Sequence, residues 1–293
     1  MRVDDPAGGD AADDRVREHD RLGSTSEEVP AEARDREECY RDLRACDQAS
    51  GRGPAAGGPD EPRLAEEGGR WEWKGLELDR EANRIADEGL AARQAAEGRD
   101  AEGNYCEGGL TPGMRRIEAE LEQGTLAPDT EKFALKSPDR FKEKLAKMIE
   151  RYPGQPCGEL VSAIHDGIRY TFLFPTEDYT AGVADATQAL RDCGYDLHLR
   201  KPSWNGEDYR GVNSRWCDTE SGVLFEVQFH TPESWEAKQK THDIYEKLCD
   251  IRTTPREREQ LEEQQRLIVA AIPVPPGVET ISYYVKGRPD NRE

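Results

Sequence analysis

Apolar residues are distributed unevenly along this 293-residue chain, and their distribution limits which part of it can fold. Residues 1–70 contain Gly-Gly pairs and scattered acidic residues but no sustained helical or strand period. They hold 11 basic and 19 acidic residues. A segment so poor in apolar side chains cannot offset the conformational entropy lost on ordering. We therefore predict a disordered acidic leader over residues 1–70.

The charge of the whole chain argues against two classes of function. The formal net charge is −20, whereas a general nucleic-acid binder gains affinity from Lys and Arg that neutralise phosphates. No apolar run approaches the roughly 18 residues that span a bilayer, and residues 1–14 lack the apolar core of a Sec signal. The sequence thus predicts a cytoplasmic protein without a membrane partner and argues against a general nucleic-acid binder, with export by another route left open. It also leaves the oligomeric state open, a homo-oligomer included.

Helical and strand patterns alternate beyond residue 70. An N-terminal extension, residues 71–130, contains a predicted helix over 77–96, a disordered link over 97–109 and a helix that Thr111 caps. Residues 131–250 form the predicted central domain, and residues 251–293 a C-terminal helix with a Pro-rich tail. The predicted helices lie at 137–152, 178–193, 232–249 and 255–271, and the strands at 168–174, 195–200, 209–216 and 223–229. This order indicates an α+β fold with a mixed sheet flanked by helices.

A basic stripe runs along the predicted helix 137–152. Lys136, Arg140 and Lys144 recur every four residues, and residues 132–151 hold seven basic and three acidic residues. Such a stripe is typical of a solvated face with i,i+4 ion pairs. It is equally what a polyphosphate needs, because several aligned cations hold a triphosphate where one does not. The pattern alone leaves both interpretations open.

The strand over residues 223–229 alternates between polar and apolar side chains. Glu226, Gln228 and His230 share one face, so the aromatic and aliphatic residues between them share the other. Three polar residues on one strand face are either solvated or form the floor of a binding site.

A second strand, 168–174, follows an acidic residue. We expect Asp166 to share a face with Ile168 and Tyr170, and Arg169 to point the other way. Two carboxylates from two strands beside a basic helix suit Mg²⁺-dependent phosphoryl transfer.

Four segments in one order carry a resemblance to a known family. They are KSPDRFKEKL (136–145), IHDGIRYTF (164–172), NGEDYRGVNSRW (205–216) and FEVQFHTPESWEAKQKTHDIYEKL (225–248). Together they resemble the synthetase domain of the RelA/SpoT family over residues 132–250. The similarity is greatest to small alarmone synthetases and to actinobacterial nucleotide 3′-pyrophosphokinases.

The resemblance implies a reaction and a role for each residue. The reaction is transfer of the β,γ-diphosphate of ATP to the 3′-hydroxyl of a purine nucleotide, giving (p)ppGpp or (p)ppApp and AMP. Asp166 and Glu226 would bind Mg²⁺, and Glu226 could take the proton of the acceptor hydroxyl. The ATP-binding residues would be Lys136, Arg140, Lys144 and Arg169, and the acceptor-binding residues Tyr209, Asn213, Gln228 and His230, with Tyr209 stacked on the purine.

The chain departs from the family at several positions, and two other hypotheses stay open. Ala134 stands where the family has an Arg, so another group would stack on adenine. His230 replaces an Arg and Asn213 a His, which leaves the choice between guanine and adenine open. One alternative is an effector of the same fold that pyrophosphorylates RNA 3′ ends or depletes ATP. The other is a non-catalytic nucleotide-sensing module.

Overall fold

The computed structural model describes residues 69–100, 104–248 and 253–287, so nearly all of the predicted leader lies outside the described residues. The helices are α1 (Arg80–Glu97), α2 (Leu110–Glu120), α3 (Thr130–Phe133), α4 (Pro138–Arg151), α5 (Cys157–Ala163), α6 (Tyr179–Asp192), α7 (Pro232–Leu248) and α8 (Pro255–Ala270). The strands are β1 (Trp71–Trp73), β2 (Leu76–Leu78), β3 (Thr125–Leu126), β4 (Arg169–Leu173), β5 (Tyr195–Pro202), β6 (Val212–Asp218), β7 (Leu224–His230) and β8 (Tyr284–Val285).

Six of these strands form one mixed sheet in the order β3-β4-β7-β6-β5-β8. Strands β4 and β7 run parallel at its centre, while every other pair is antiparallel. The register places Arg169 of β4 and Arg215 of β6 on either side of Glu226 of β7. The sheet and its flanking helices confirm the predicted α+β class.

The core lies on one face of β7. Phe225, Val227 and Phe229 are completely buried there, together with residues of α2 and α6. A second group of helices, α1, α4 and α5, pack against one another. Phe141 and Leu145 of α4 are fully buried there. The remaining face of β7, with its polar side chains, is thereby directed away from the core.

Two of the predictions for the N-terminal extension are wrong. The described part of the link 97–109 is ordered, because Arg99 forms a β-bridge with Tyr105 and Glu97 is completely buried. Thr111 does not cap α2, which begins one residue earlier, at Leu110. Its hydroxyl instead lies 2.8 Å from the Tyr170 hydroxyl in the core.

Short elements account for most of what the sequence patterns did not predict. The hairpin of β1 and β2, helix α5, a 3₁₀ turn at His165–Gly167 and the edge strand β8 are each too short to show a clear period. Within the described ranges, no helix has both the length and the apolar content that crossing a bilayer requires.

The contact of α6 with Phe174, the residue that follows β4, provides a test of the packing. A Cβ on Gly182 would lie 2.2 Å from Cδ1 of the buried Phe174, whereas one on Gly158 of α5 would meet nothing within 4 Å. We expect Gly182→Ala to lower the free energy of unfolding by about 1–3 kcal/mol, because the added methyl group would force neighbouring core side chains out of their preferred rotamers. Gly158→Ala should leave it unchanged or raise it by about 0.5 kcal/mol. Urea unfolding of both variants measures this, and an unaffected Gly182→Ala protein would contradict the packing.

Candidate active site

The polar face of β7 is buried rather than solvated. Glu226, Gln228 and His230 are 4%, 3% and 0% exposed, which excludes the solvated interpretation. Buried polar groups in a folded protein are held by hydrogen bonds or ion pairs, and each of these three has such partners. This face of β7 is therefore the floor of a polar cluster.

Asp166 is the point on which the neighbouring cations converge. Lys136 Nζ lies 2.7 Å from its Oδ2, and Lys144 Nζ lies 2.6 Å from its Oδ1. Arg169 Nη2 approaches the same Oδ2 at 3.4 Å. The Asp166 side chain is inaccessible to solvent, so these are ion pairs of low local dielectric.

Backbone contacts explain why the basic helix begins beside Asp166. Leu135 forms an isolated β-bridge with Ile168, and the Lys136 N–H donates to the Gly167 carbonyl at 2.9 Å. Ser137 then precedes Pro138 in the first turn of α4. Pro fits there because its missing N–H would be unsatisfied in any residue. The segment before α4 is thus fixed to the turn that carries Asp166.

The predicted orientation of Asp166 is wrong. Asp166 belongs to the 3₁₀ turn and not to the strand, so the alternation of strand faces does not extend to it. Ile168 and Tyr170 are completely buried in the core cluster, whereas Arg169 faces both Asp166 and Glu226. Asp166 and Arg169 therefore lie on the same side of the sheet.

Glu226 is held from three directions. Arg169 Nε lies 3.0 Å from its Oε1, and Gln228 Nε2 donates to that same oxygen at 2.5 Å. His165 Nε2 lies 3.5 Å from Oε2. Arg215, opposite Glu226 in the register, places Nη2 3.3 Å from His165 Nε2.

The cations determine the ionisation of both carboxylates. Burial alone would raise the pKa of Asp166, but Lys136, Lys144 and Arg169 hold that pKa well below its ordinary value. Burial would likewise raise the pKa of Glu226, but Arg169 and His165 keep it below the ordinary value. Both groups are therefore anions at neutral pH, as metal ligands must be.

The basic stripe of α4 divides into two sets. Lys136 and Lys144 are turned inward to Asp166, with side chains only 6% and 5% exposed. Arg140 lies further out, pairs with Glu143 and packs over the Trp73 ring, while Lys147 also pairs with Glu143. The interpretation as a solvated face with ion pairs thus describes the outer set, whereas the inner set is buried against Asp166.

The oxygens of Asp166 and Glu226 fit a Mg²⁺ ion. Mg²⁺ is usually bound through one or two carboxylates together with substrate phosphates, rather than by an all-protein cage. Within the described ranges, no group of three or more His, Cys, Asp or Glu side chains is arranged to hold a metal. A pair of ionised carboxylates beside several buried cations agrees with the first mode of binding.

The predicted acceptor residues form a second, adjoining cluster. The Tyr209 hydroxyl lies 2.7 Å from Asn213 Oδ1 and 2.8 Å from His230 Nε2. Gly211 brings the backbone close to this pair, since a Cβ there would lie 2.9 Å from the Tyr209 hydroxyl. Tyr209 is 6% exposed, so stacking of a purine on its ring requires the ring to leave this arrangement.

Three buried residues of the site were not predicted. His165 and Arg215 contact each other beside Glu226, and Lys238 of α7 donates to Gln228 Oε1 at 2.5 Å. The strands predicted at 209–216 and 223–229 contained the signal for Arg215, because their antiparallel pairing places Arg215 opposite Glu226. No comparable signal marks Lys238, since a lysine on a helix is typical of a solvated face.

The chain was compared with known proteins. No protein-family model matches it, and no curated protein does. Small alarmone synthetase 1 from Bacillus subtilis is similar in structure, with 15% identity, a TM-score of 0.41 and coverage of 63% of this chain and 88% of that one. The same enzyme bound to its product pppGpp has 13% identity, a TM-score of 0.38 and coverages of 64% and 90%. A GTP pyrophosphokinase family protein from Streptococcus pneumoniae has 15% identity, a TM-score of 0.40 and coverages of 65% and 89%.

The buried His165 predicts acid sensitivity. Burial and Arg215 lower its pKa from 6.5 to about 4, so between these values the unfolded chain binds more protons than the folded one. Stability therefore falls as the pH drops below 6.5, by about 2 kcal/mol at pH 5 for this residue. Urea unfolding at pH 8 and pH 5 measures the loss.

The control for this prediction is a histidine at the surface. His165→Gln should flatten the pH dependence, and His198→Gln should flatten it less, because His198 is partly exposed. An equal dependence in wild type and His165→Gln would show that His165 does not titrate as described.

Proposed function

We propose that this chain is an ATP-dependent pyrophosphokinase that transfers the β,γ-diphosphate of ATP to the 3′-hydroxyl of a purine nucleotide, giving (p)ppGpp or (p)ppApp and AMP. One observation carries the proposal. Lys136, Lys144 and Arg169 converge within a buried space on Asp166, and Arg169 also reaches the second ionised carboxylate, Glu226. Such a set has what a nucleoside triphosphate with its metal requires: several cations for the phosphates and two anions for the metal.

The donor phosphates would bind at the cations around Asp166. Lys136 and Lys144 each contact one oxygen of that carboxylate, so a polyphosphate would compete with Asp166 for their ammonium groups. The Asp166 oxygens would then be available to a metal. When bound between Asp166 and Glu226, Mg²⁺ would neutralise charge that develops on the transferred phosphates. Arg140, at the exposed end of the stripe, would contact the outer part of ATP.

Catalysis of the proposed reaction depends more on how the two substrates are positioned than on transfer of a proton to the protein. The acceptor 3′-oxygen attacks the β-phosphorus and its proton passes to solvent water, while the bond from that phosphorus to the α,β-bridging oxygen breaks and AMP leaves with the bridging oxygen. Charge in such a transition state is spread over phosphoryl oxygens, which the three cations stabilise. The lowered pKa of Glu226 makes it a weak base. We therefore assign it the roles of metal ligand and of hydrogen-bond acceptor that orients the 3′-hydroxyl.

The acceptor nucleotide would bind where Tyr209, Asn213, Gln228 and His230 meet. Burial and the nearby Lys238 hold the pKa of His230 well below its ordinary value, so its ring is neutral. A neutral imidazole, an amide and a phenol hydroxyl offer both donors and acceptors to a purine edge. This set supports a purine acceptor and does not distinguish guanine from adenine.

The first experiment is direct product analysis. The full chain is incubated with Mg²⁺, ATP and each of GDP, GTP, AMP and a short RNA, and the products are separated by anion-exchange chromatography. We expect a 3′-diphosphate of at least one purine nucleotide together with AMP. Modified RNA in place of a modified nucleotide would favour the effector hypothesis, and no product with any acceptor would refute the proposal.

A matched pair of variants tests the site itself. Glu226→Gln keeps the size of the side chain but removes its charge, so we expect turnover to fall by about a hundredfold or more. Glu236→Gln makes the same change at an exposed position of α7, where Glu236 pairs with Lys240, and should behave as wild type. Equal activities in the two variants would contradict the role of Glu226.

A further inference from the structure

Lys238 is a buried lysine of α7 that the proposed mechanism does not use, and burial lowers the pKa of its ammonium group to about 7. It is 8% exposed, its Nζ donates to Gln228 Oε1 at 2.5 Å, and it lies 4.7 Å from the centre of the Trp235 ring. Among the side chains that the structure describes, no carboxylate forms an ion pair with it. Burial of a lysine with a neutral amide as its hydrogen-bond partner is unfavourable, so its position calls for a reason other than stability.

The contact that the Gln228 amide makes through its nitrogen explains why Lys238 lies at its oxygen. Its Nε2 donates to Glu226 Oε1 at 2.5 Å. An ammonium group only donates hydrogen bonds, and an ionised carboxylate only accepts them. Gln228 lies between the two and satisfies both in one orientation of its amide. In the flipped orientation its NH₂ group would face the ammonium group and its oxygen would face the carboxylate, so neither hydrogen bond would form. In its protonated form, Lys238 therefore selects the orientation in which Gln228 donates to Glu226.

We propose that Lys238 is a positioning residue for Glu226, acting through the amide of Gln228. Oε1 of Glu226 is then fixed by Gln228 and Arg169 together, which sets the direction in which the remaining lone pairs of the carboxylate point. Its catalytic consequence rests on the proposed function, in which those lone pairs receive the metal and the acceptor hydroxyl. The chain of contacts crosses from α7 to the centre of the sheet in two hydrogen bonds.

The location of Lys238 distinguishes this role from direct substrate binding. Gln228 lies between Lys238 and the carboxylate, so loss of the ammonium group should disturb the geometry of Glu226 without removing a phosphate contact. The expected signature is a lower kcat with a KM for ATP that stays within about twofold, since an interaction used only in the transition state affects kcat.

The test compares three variants of the full-length protein. Lys238→Met keeps the length of the side chain and removes the donor, and we expect kcat to fall at least tenfold. Lys238→Arg keeps a donor-only cation and should recover most of that loss. Lys240→Met is the control, because Lys240 lies on the same helix, is 60% exposed and pairs with Glu236. Its kcat should equal that of wild type.

A second measurement is independent of activity. The side-chain amide signals of Gln228, assigned in nitrogen-15 spectra by their absence from Gln228→Leu, should shift in Lys238→Met and stay in place in Lys240→Met. In the Gln228→Leu background, Lys238→Met should cause little further loss of kcat, since the contact through which it acts is already gone.

Different results of these experiments would overturn the role of Lys238 and the proposed function. Unmoved amide signals in Lys238→Met would overturn the inference, as would a kcat equal to wild type or a loss that adds fully to that of Gln228→Leu. A loss of kcat that only follows a lower melting temperature would show a structural role and also overturn it. A wild type without any transfer product would overturn the proposed function, and the amide signals would then decide the inference alone.

Discussion

The ion pairs of Asp166 with Lys136 and Lys144 are the interaction on which the site depends. They join the start of α4 to the turn before β4, and both lysines would be costly to bury without that carboxylate. The same interactions keep Asp166 ionised inside the protein, where burial would otherwise favour its neutral form. One set of contacts thus determines the position of the basic helix and the charge state of the site.

Strand β7 organises the remainder of the site because it separates two environments. Its aromatic and aliphatic side chains belong to the core, and its polar side chains connect in sequence to the neighbouring elements. Glu226 contacts Arg169 of β4, Gln228 contacts Lys238 of α7, and His230 contacts Tyr209 in the loop before β6. Three polar residues of β7, each two positions from the next, therefore connect the residues assigned to the donor with those assigned to the acceptor in the proposed reaction.

Periodicity explains which parts of this arrangement could be predicted from sequence. Strand β7 alternates over seven residues and α4 repeats its basic residues over three turns, so both elements and the polar face were predicted. The 3₁₀ turn spans three residues and has no period, which is why the expected orientation of Asp166 was wrong. Whether the polar face of β7 was solvated or buried depended on the packing of the 3₁₀ turn and of α7 against it, and no pattern within the strand could decide it.

The residues missed by sequence reasoning share a physical cause. Arg215 becomes part of the site through the register of a hairpin, and that register follows from the turn between β6 and β7. Lys238 is buried only because α7 packs over Gln228, and its sequence neighbourhood is that of an exposed helix. Charged residues are brought into a site by tertiary contacts, so their burial cannot be derived from composition or spacing.

In the proposed reaction, the β,γ-diphosphate group of ATP moves as one unit from the α-phosphate to the acceptor. ATP labelled with oxygen-18 at the α,β-bridging position tests this claim most directly, with the products analysed by phosphorus-31 NMR. Attack at the β-phosphorus predicts that the label is found only in AMP, formed in equal amount to the 3′-diphosphate product. Label in the transferred diphosphate, or ADP as the leaving product, would contradict the account.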